Sequence, residues 1–137
     1  MDPLSTGTGI IAILQLSTEV VKYIIGVAGS TKDRRRLRSE IIACEAILMR
    51  LQDLSDDARE ESKSWENMKA IEGKDSPLYR LGLILDATKT KLEPKQGLSK
   101  ALAPLKWPFE EKEVEKLIAA VQREKALLQL AITNECR

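Results

Sequence analysis

Residues 4–28 read LSTGTGIIAILQLSTEVVKYIIGVA, an apolar segment followed at once by the basic run Lys32-Asp33-Arg34-Arg35-Arg36-Leu37-Arg38. A helix of that length reaches ~37 Å at ~1.5 Å per residue, enough to cross a hydrocarbon core of ~30 Å. It also carries Gln15, Glu19 and Lys22, which a dedicated membrane span seldom tolerates. Gln15, Thr18, Glu19 and Lys22 fall within one narrow arc of a helical wheel, and nearly everything else is Ile, Leu, Val or Ala. A surface helix has a wider polar face, so the pattern predicts a central helix touched on several sides. Glu19 and Lys22 are spaced to pair at i,i+3. The segment is apolar enough to enter a bilayer and polar enough for the core of a helical bundle. A secretion signal fits poorly, because only the acidic Asp2 stands where a basic n-region is expected, although Ala28-Gly29-Ser30 has the small residues of a cleavage site.

Working outward, Leu37, Ile41, Cys44, Leu48, Leu51 and Leu54 repeat at spacings of four, three, four, three and three, which places them on one face of a second helix. Ser30, Thr31 or Asp33 can cap its start. Residues 55–76 are acidic and weakly periodic and read as a loop, with one short helix around Trp65 to Ile71 as an added fifth element. Ser76-Pro77 opens the next helix, serine as cap and proline at the first helical position, and Leu78, Leu81, Leu85, Thr88 and Leu92 follow before Pro94 stops it. A Pro/Gly-punctuated connection over 94–108 leads to a last helix from Phe109 to about Asn134. Glu110, Glu111 and Glu113 suit its positive end, and Val114, Leu117, Val121, Leu128 and Ala131 form its buried stripe. Together these describe an all-α antiparallel bundle of four helices, five if the short one forms, with an apolar N-terminal helix.

Composition agrees: 137 residues make one domain, and only 4% aromatic against 31% charged residues favours helices over a sheet. The net charge of +1 hides bands of +3 over residues 32–50, −4 over 51–76 and +4 over 77–106. Histidine is absent, which removes the commonest general base and metal ligand. The two cysteines, Cys44 on an apolar stripe and Cys136 near the end, have no metal spacing and suit a reducing compartment. No nucleophile has a base beside it, so an enzyme, a cofactor and a small-molecule substrate are not expected. Nucleic acid is not expected either: no aromatic residue interleaves with the basic run.

Met1-Asp2-Pro3-Leu4-Ser5, the apolar first helix, the leucine-rich second helix and Leu105-Lys106-Trp107-Pro108-Phe109, followed by Lys112 and Glu113-Val114, resemble the HeLo-like domain. That is the N-terminal domain of many fungal STAND/NLR-type receptors, also known as the azaphilone pigment cluster protein L N-terminal domain. The resemblance spans residues 1–137 and implies the N-terminal part of a longer receptor or effector. It implies a bundle related to the HeLo domain of heterokaryon incompatibility proteins and similar to necroptosis-type bundles. It further implies a cell-death execution module that is cytoplasmic at rest, oligomerises on activation, frees its first helix and permeabilises the plasma membrane.

On that reading Ile10, Ile11, Leu14, Val21 and Ile25 contact lipid, and Gln15, Glu19 and Lys22 form the polar face of the inserted state. One departure matters: such first helices are usually more apolar, and either charge costs ~2.5–3.5 kcal/mol at a bilayer centre. Several copies lining a wet pore would avoid that cost. Lys32, Arg34, Arg35, Arg36 and Arg38 are candidates for anionic phospholipid headgroups at ~1 kcal/mol each, or simply a solvated helix start. Trp107, Pro108 and Phe109 read as structural, packing the bundle end and setting the approach to the last helix. The alternative function is a soluble oligomerisation or signalling adaptor whose first helix stays in the core.

Overall fold

The computed structural model describes residues 8–27, 31–57, 76–93 and 106–135. They form α1 (Thr8–Gly26), α2 (Thr31–Asp57), α3 (Pro77–Leu92) and α4 (Glu111–Glu135). The short helix expected around Trp65 to Ile71 lies outside the described residues, as do the opening pentapeptide and Cys136.

Local chemistry sets the ends. The Ser76 hydroxyl accepts from the Tyr79 amide at 3.2 Å, with Pro77 in the first turn. Glu93 closes α3, its amide donating to the Lys89 carbonyl at 2.9 Å. α4 begins two residues later than its sequence suggests, because Glu113 reaches back to accept from the Glu110 amide at 3.1 Å and makes Glu110 the cap.

The helices pack in a ring: α1 against α2 and α3, and α4 against the same two. Cross-contacts fix their directions. Thr18 meets Glu45 and Val27 meets Arg34, so α1 and α2 run antiparallel. Arg80 meets Glu124 and Lys91 meets Glu113, so α3 and α4 do too. Ile13 lies against Gly82 and Glu19 against Lys89, so α1 and α3 run parallel, and α2 and α4 must as well. The fold is an all-α four-helix bundle made of two antiparallel hairpins laid side by side. α2 ends and α3 starts at the same end of the bundle, on opposite corners.

All four stripes meet in one core. Ile10, Ile13, Val20, Ile24 and Val27 come from α1 and its end; Leu37, Ile41, Cys44, Leu48 and Leu51 come from α2. Leu78, Leu81, Leu85 and Leu92 of α3 and Val114, Val121, Leu128 and Ile132 of α4 complete it, with Phe109 at one end. One member is charged. Glu124 sits on the α4 stripe between Val121 and Leu128, is 4% exposed, and accepts from Arg80 Nε at 3.0 Å.

α1 is not central. It occupies a corner with two neighbours and leaves Ile11, Gln15, Thr18, Glu19, Lys22 and Ile25 exposed. The sequence understated its solvent face because two isoleucines lie on it. Gly82 lets α1 come close to α3: a Cβ there would stand 2.7 Å from Ile13 Cδ1. Gly82→Leu should therefore destabilise the fold by ~1–3 kcal/mol in urea unfolding, despite the better helix propensity of leucine. Ile13→Ala should cost less in the Gly82→Leu background than in the parent, and equal costs would show that the two sites do not touch.

Candidate functional site

The candidate site is α1 with the start of α2. The stretch Gly9–Gly26 is long and apolar enough to cross a membrane, and only 33% of it is buried. Soluble core helices pass the same length and composition test, so placement matters more than the count of apolar residues. The five residues assigned to lipid contact are divided. Ile10 is wholly buried, Leu14 and Val21 are half-buried against the core, and Ile11 and Ile25 are exposed at 42% and 60%. Gln15, Glu19 and Lys22 are all exposed and share the solvent side of the helix.

Glu19 does not pair with Lys22, as the i,i+3 spacing suggested. Its carboxylate reaches across to α3 and accepts from Lys89 Nζ at 2.7 Å. That hydrogen bond holds the Lys89 ammonium above the usual lysine range. On the other flank, Thr18 Oγ1 donates to Glu45 Oε2 of α2 at 3.0 Å and also to the Leu14 carbonyl. The buried Ser17 turns its hydroxyl to the Leu14 carbonyl at 2.8 Å, which removes the cost of burying it. Each side of α1 is thus fastened by one polar contact to its neighbour.

The basic run does not act as one patch. Arg34 turns under the end of α1 and donates to the Val27 carbonyl, a cation on the negative end of the helix. Arg36 lies 3.7 Å from Asp33, and Arg38 is half-buried. Lys32 and Arg35 are exposed.

Trp107 and Phe109 meet edge to face with ring centroids 5.1 Å apart, and Lys91 Nζ sits 5.0 Å above the Phe109 ring. Pro108 is half-buried between them. The indole Nε1 of Trp107 is buried with no acceptor among the described residues. Beside Phe109 an open cleft of about 290 Å³ runs between α3 and α4, floored by Ala87, Thr88 and Leu117. At its rim Lys91 and Glu113 pair, and the Thr88 hydroxyl donates to the Ile84 carbonyl. The Lys91 contact holds the Glu113 carboxyl below its ordinary range. Among the described residues, no cluster of three or more His, Cys, Asp or Glu is placed to hold a metal ion.

Sequence reasoning missed Gly82, Glu124 and the role of Arg34. A break in the α4 stripe at Glu124 was the only signal for the second, and none existed for the others. No family model, curated protein or solved structure matches the chain.

Cys44 lies in the core, and burial pushes its thiol up to about 12 from an ordinary 9.0. Because the folded state favours the protonated thiol, the stability this gives is complete below about pH 9 and is lost as pH climbs toward 12. In a Cys136→Ser background, a maleimide should label Cys44 only as fast as the bundle opens. Labelling at the rate of a free thiol would mean that the bundle does not cover it. Arg34→Ala should lower stability by ~1 kcal/mol by freeing the Val27 carbonyl, measured as a fall in thermal midpoint.

Proposed function

We propose that this domain is a membrane-permeabilising effector of the HeLo-like kind, active when copies cluster and α1 leaves the bundle for the bilayer. The observation that carries the reading is the placement of α1: a span-length apolar helix at a corner of the fold, with half its faces already toward solvent. On this reading the resting form is cytoplasmic and moves to the plasma membrane as part of a fungal cell-death response.

Energetics say when release happens. Withdrawing α1 uncovers Ile10, Ile13, Val20, Ile24 and Val27, at ~1.5–3 kcal/mol each. The sum is on the order of 10 kcal/mol, comparable with the whole stability of a domain. In solution, therefore, α1 stays docked. Lipid must take up the uncovered side chains, and a high local concentration of copies must offset the cost of Glu19 and Lys22 by letting them line water together. Lys32 and Arg35 supply the first electrostatic contact with anionic headgroups, since Arg34 is occupied at the end of α1.

The second reading, a soluble oligomerisation or signalling adaptor, is favoured by that same buried stripe, which contributes a full quarter of the core. Dye release from anionic vesicles separates the two. The domain fused to an oligomeriser should release dye, while the unfused domain and the clustered Leu14→Glu variant should not. With Lys32→Glu and Arg35→Glu together, vesicle binding should fall by about tenfold or more while the fold is kept. Clustered protein that leaves vesicles intact would make this the adaptor.

A further inference from the structure

Among the described residues seven large apolar side chains are exposed, and four of them share one surface. On α1, Ile11, Thr18 and Ile25 are exposed at intervals of seven residues, two helical turns apart. On α2, Arg35, Ile42, Ala46, Met49 and Asp53 form an exposed stripe at intervals of seven, four, three and four. The Thr18–Glu45 hydrogen bond joins the antiparallel helices at mid-length and sets these stripes side by side. The seam carries Ile11 at 42%, Ile42 at 47%, and Ile25 and Met49 at 60% exposure each. Of the other three, Leu83 stands alone on α3, and Leu127 and Leu130 lie one turn apart on α4.

The seam is symmetric about Thr18 and Glu45. Ile11 and Ile25 are each seven residues from Thr18; Ile42 and Met49 lie three before and four after Glu45. Its ends carry opposite charge, Arg35 at one and Asp53 at the other. A surface with apolar side chains on both sides of a polar centre, Thr18, Lys22 and Glu45, and with opposite charge at its ends matches its own copy turned by a two-fold rotation. We infer that a second copy of this chain covers the outer face of α1 and α2. Ile42 then meets Met49 of the second copy, Ile11 meets Ile25, and Arg35 meets Asp53, each contact made twice.

The charge order of α2 independently points the same way. Its first turns hold Lys32, Arg34, Arg35 and Arg36 with Asp33 the lone acid, and its last turns hold Asp53, Asp56 and Asp57 with no base in the final turn. Both ends oppose the helix dipole, which favours acids first and bases last. An antiparallel second copy sets the basic start beside an acidic end and relieves both. The one like-charge approach is Glu45 and its copy near the axis, each held by the Thr18 of its own chain. The face is ~28 Å long and ~20 Å wide, roughly 560 Å² against the ~800 Å² per partner of standard interfaces, the small size of a transient contact.

The inference does not rest on the membrane reading and is tested without lipid. Sedimentation velocity of the purified protein from ~1 to ~500 μM should show a monomer–dimer equilibrium. Met49→Glu should raise Kd by at least about tenfold, with helicity unchanged by circular dichroism. Arg35→Asp and Asp53→Arg should each weaken the dimer several-fold, and the double variant should regain most of the affinity because the swap restores both pairs. A monomer at every concentration overturns the proposal. So does a dimer indifferent to Met49→Glu, or a double variant no better than its singles.

Discussion

The close approach of α1 to α3 over Gly82 is where the two hairpins of this bundle meet. With a Cβ there, the Ile13 Cδ1 methyl, 2.7 Å away, would have to turn aside, and a bulky side chain would have to displace Ile13 from the α1–α3 contact. With glycine, the two hairpins close, and the stripes of all four helices share one core. The cost of a glycine inside a helix, ~1 kcal/mol, is small against the burial it permits along the whole of α1. The ring order also follows. Since α1 lies parallel to α3, α2 and α4 become the opposite parallel pair, and no helix is enclosed by the other three.

The polar contacts around the ring are graded. The α3–α4 side has Arg80 on Glu124, whose carboxylate is 5% exposed. On the α2–α4 side Glu40, 11% exposed, accepts from both Lys125 and Gln122. α1 is fastened by Glu19, 51% exposed, by the exposed Thr18–Glu45 contact and, past its last turn, by Arg34 on the Val27 carbonyl. Exposed pairs give ~0–1 kcal/mol and are screened by salt, whereas breaking a buried one costs ~3–5 kcal/mol. The polar network therefore locks α2, α3 and α4 to one another more firmly than it locks α1. What keeps α1 in place is apolar burial, a force that a bilayer can supply equally well.

Elements that rest on periodicity were legible in the sequence. The stripes of α2 and α3 are nearly all buried, and the Ser76-Pro77 start is found as read, because spacing and capping are local properties of the chain. What depends on neighbours was not legible. Ile11 and Ile25 look like core residues in a list of apolar positions, and only the corner placement of α1 shows them facing solvent. Gly82 looks like an unremarkable helix interruption until Ile13 is seen above it. Glu19 sits at the right interval for Lys22, yet Lys89 on another helix wins it. The basic run reads as a uniform patch, but Arg34 is drawn off by a carbonyl that only folding brings near.

The self-contact and the membrane reading compete for the same atoms. Ile11 and Ile25 cannot lie against a second copy and in lipid at once, so the two states exclude each other and each destabilises the other by the full free energy of its contact. A two-fold contact also closes on itself. It uses up the seam in both copies and offers no free end, so an assembly of more than two chains must grow through another surface or begin by parting the dimer. A weak dimer suits that order of events. Tethering would raise the local concentration for every contact between copies, this seam included, so freeing α1 would need lipid to outcompete the second copy.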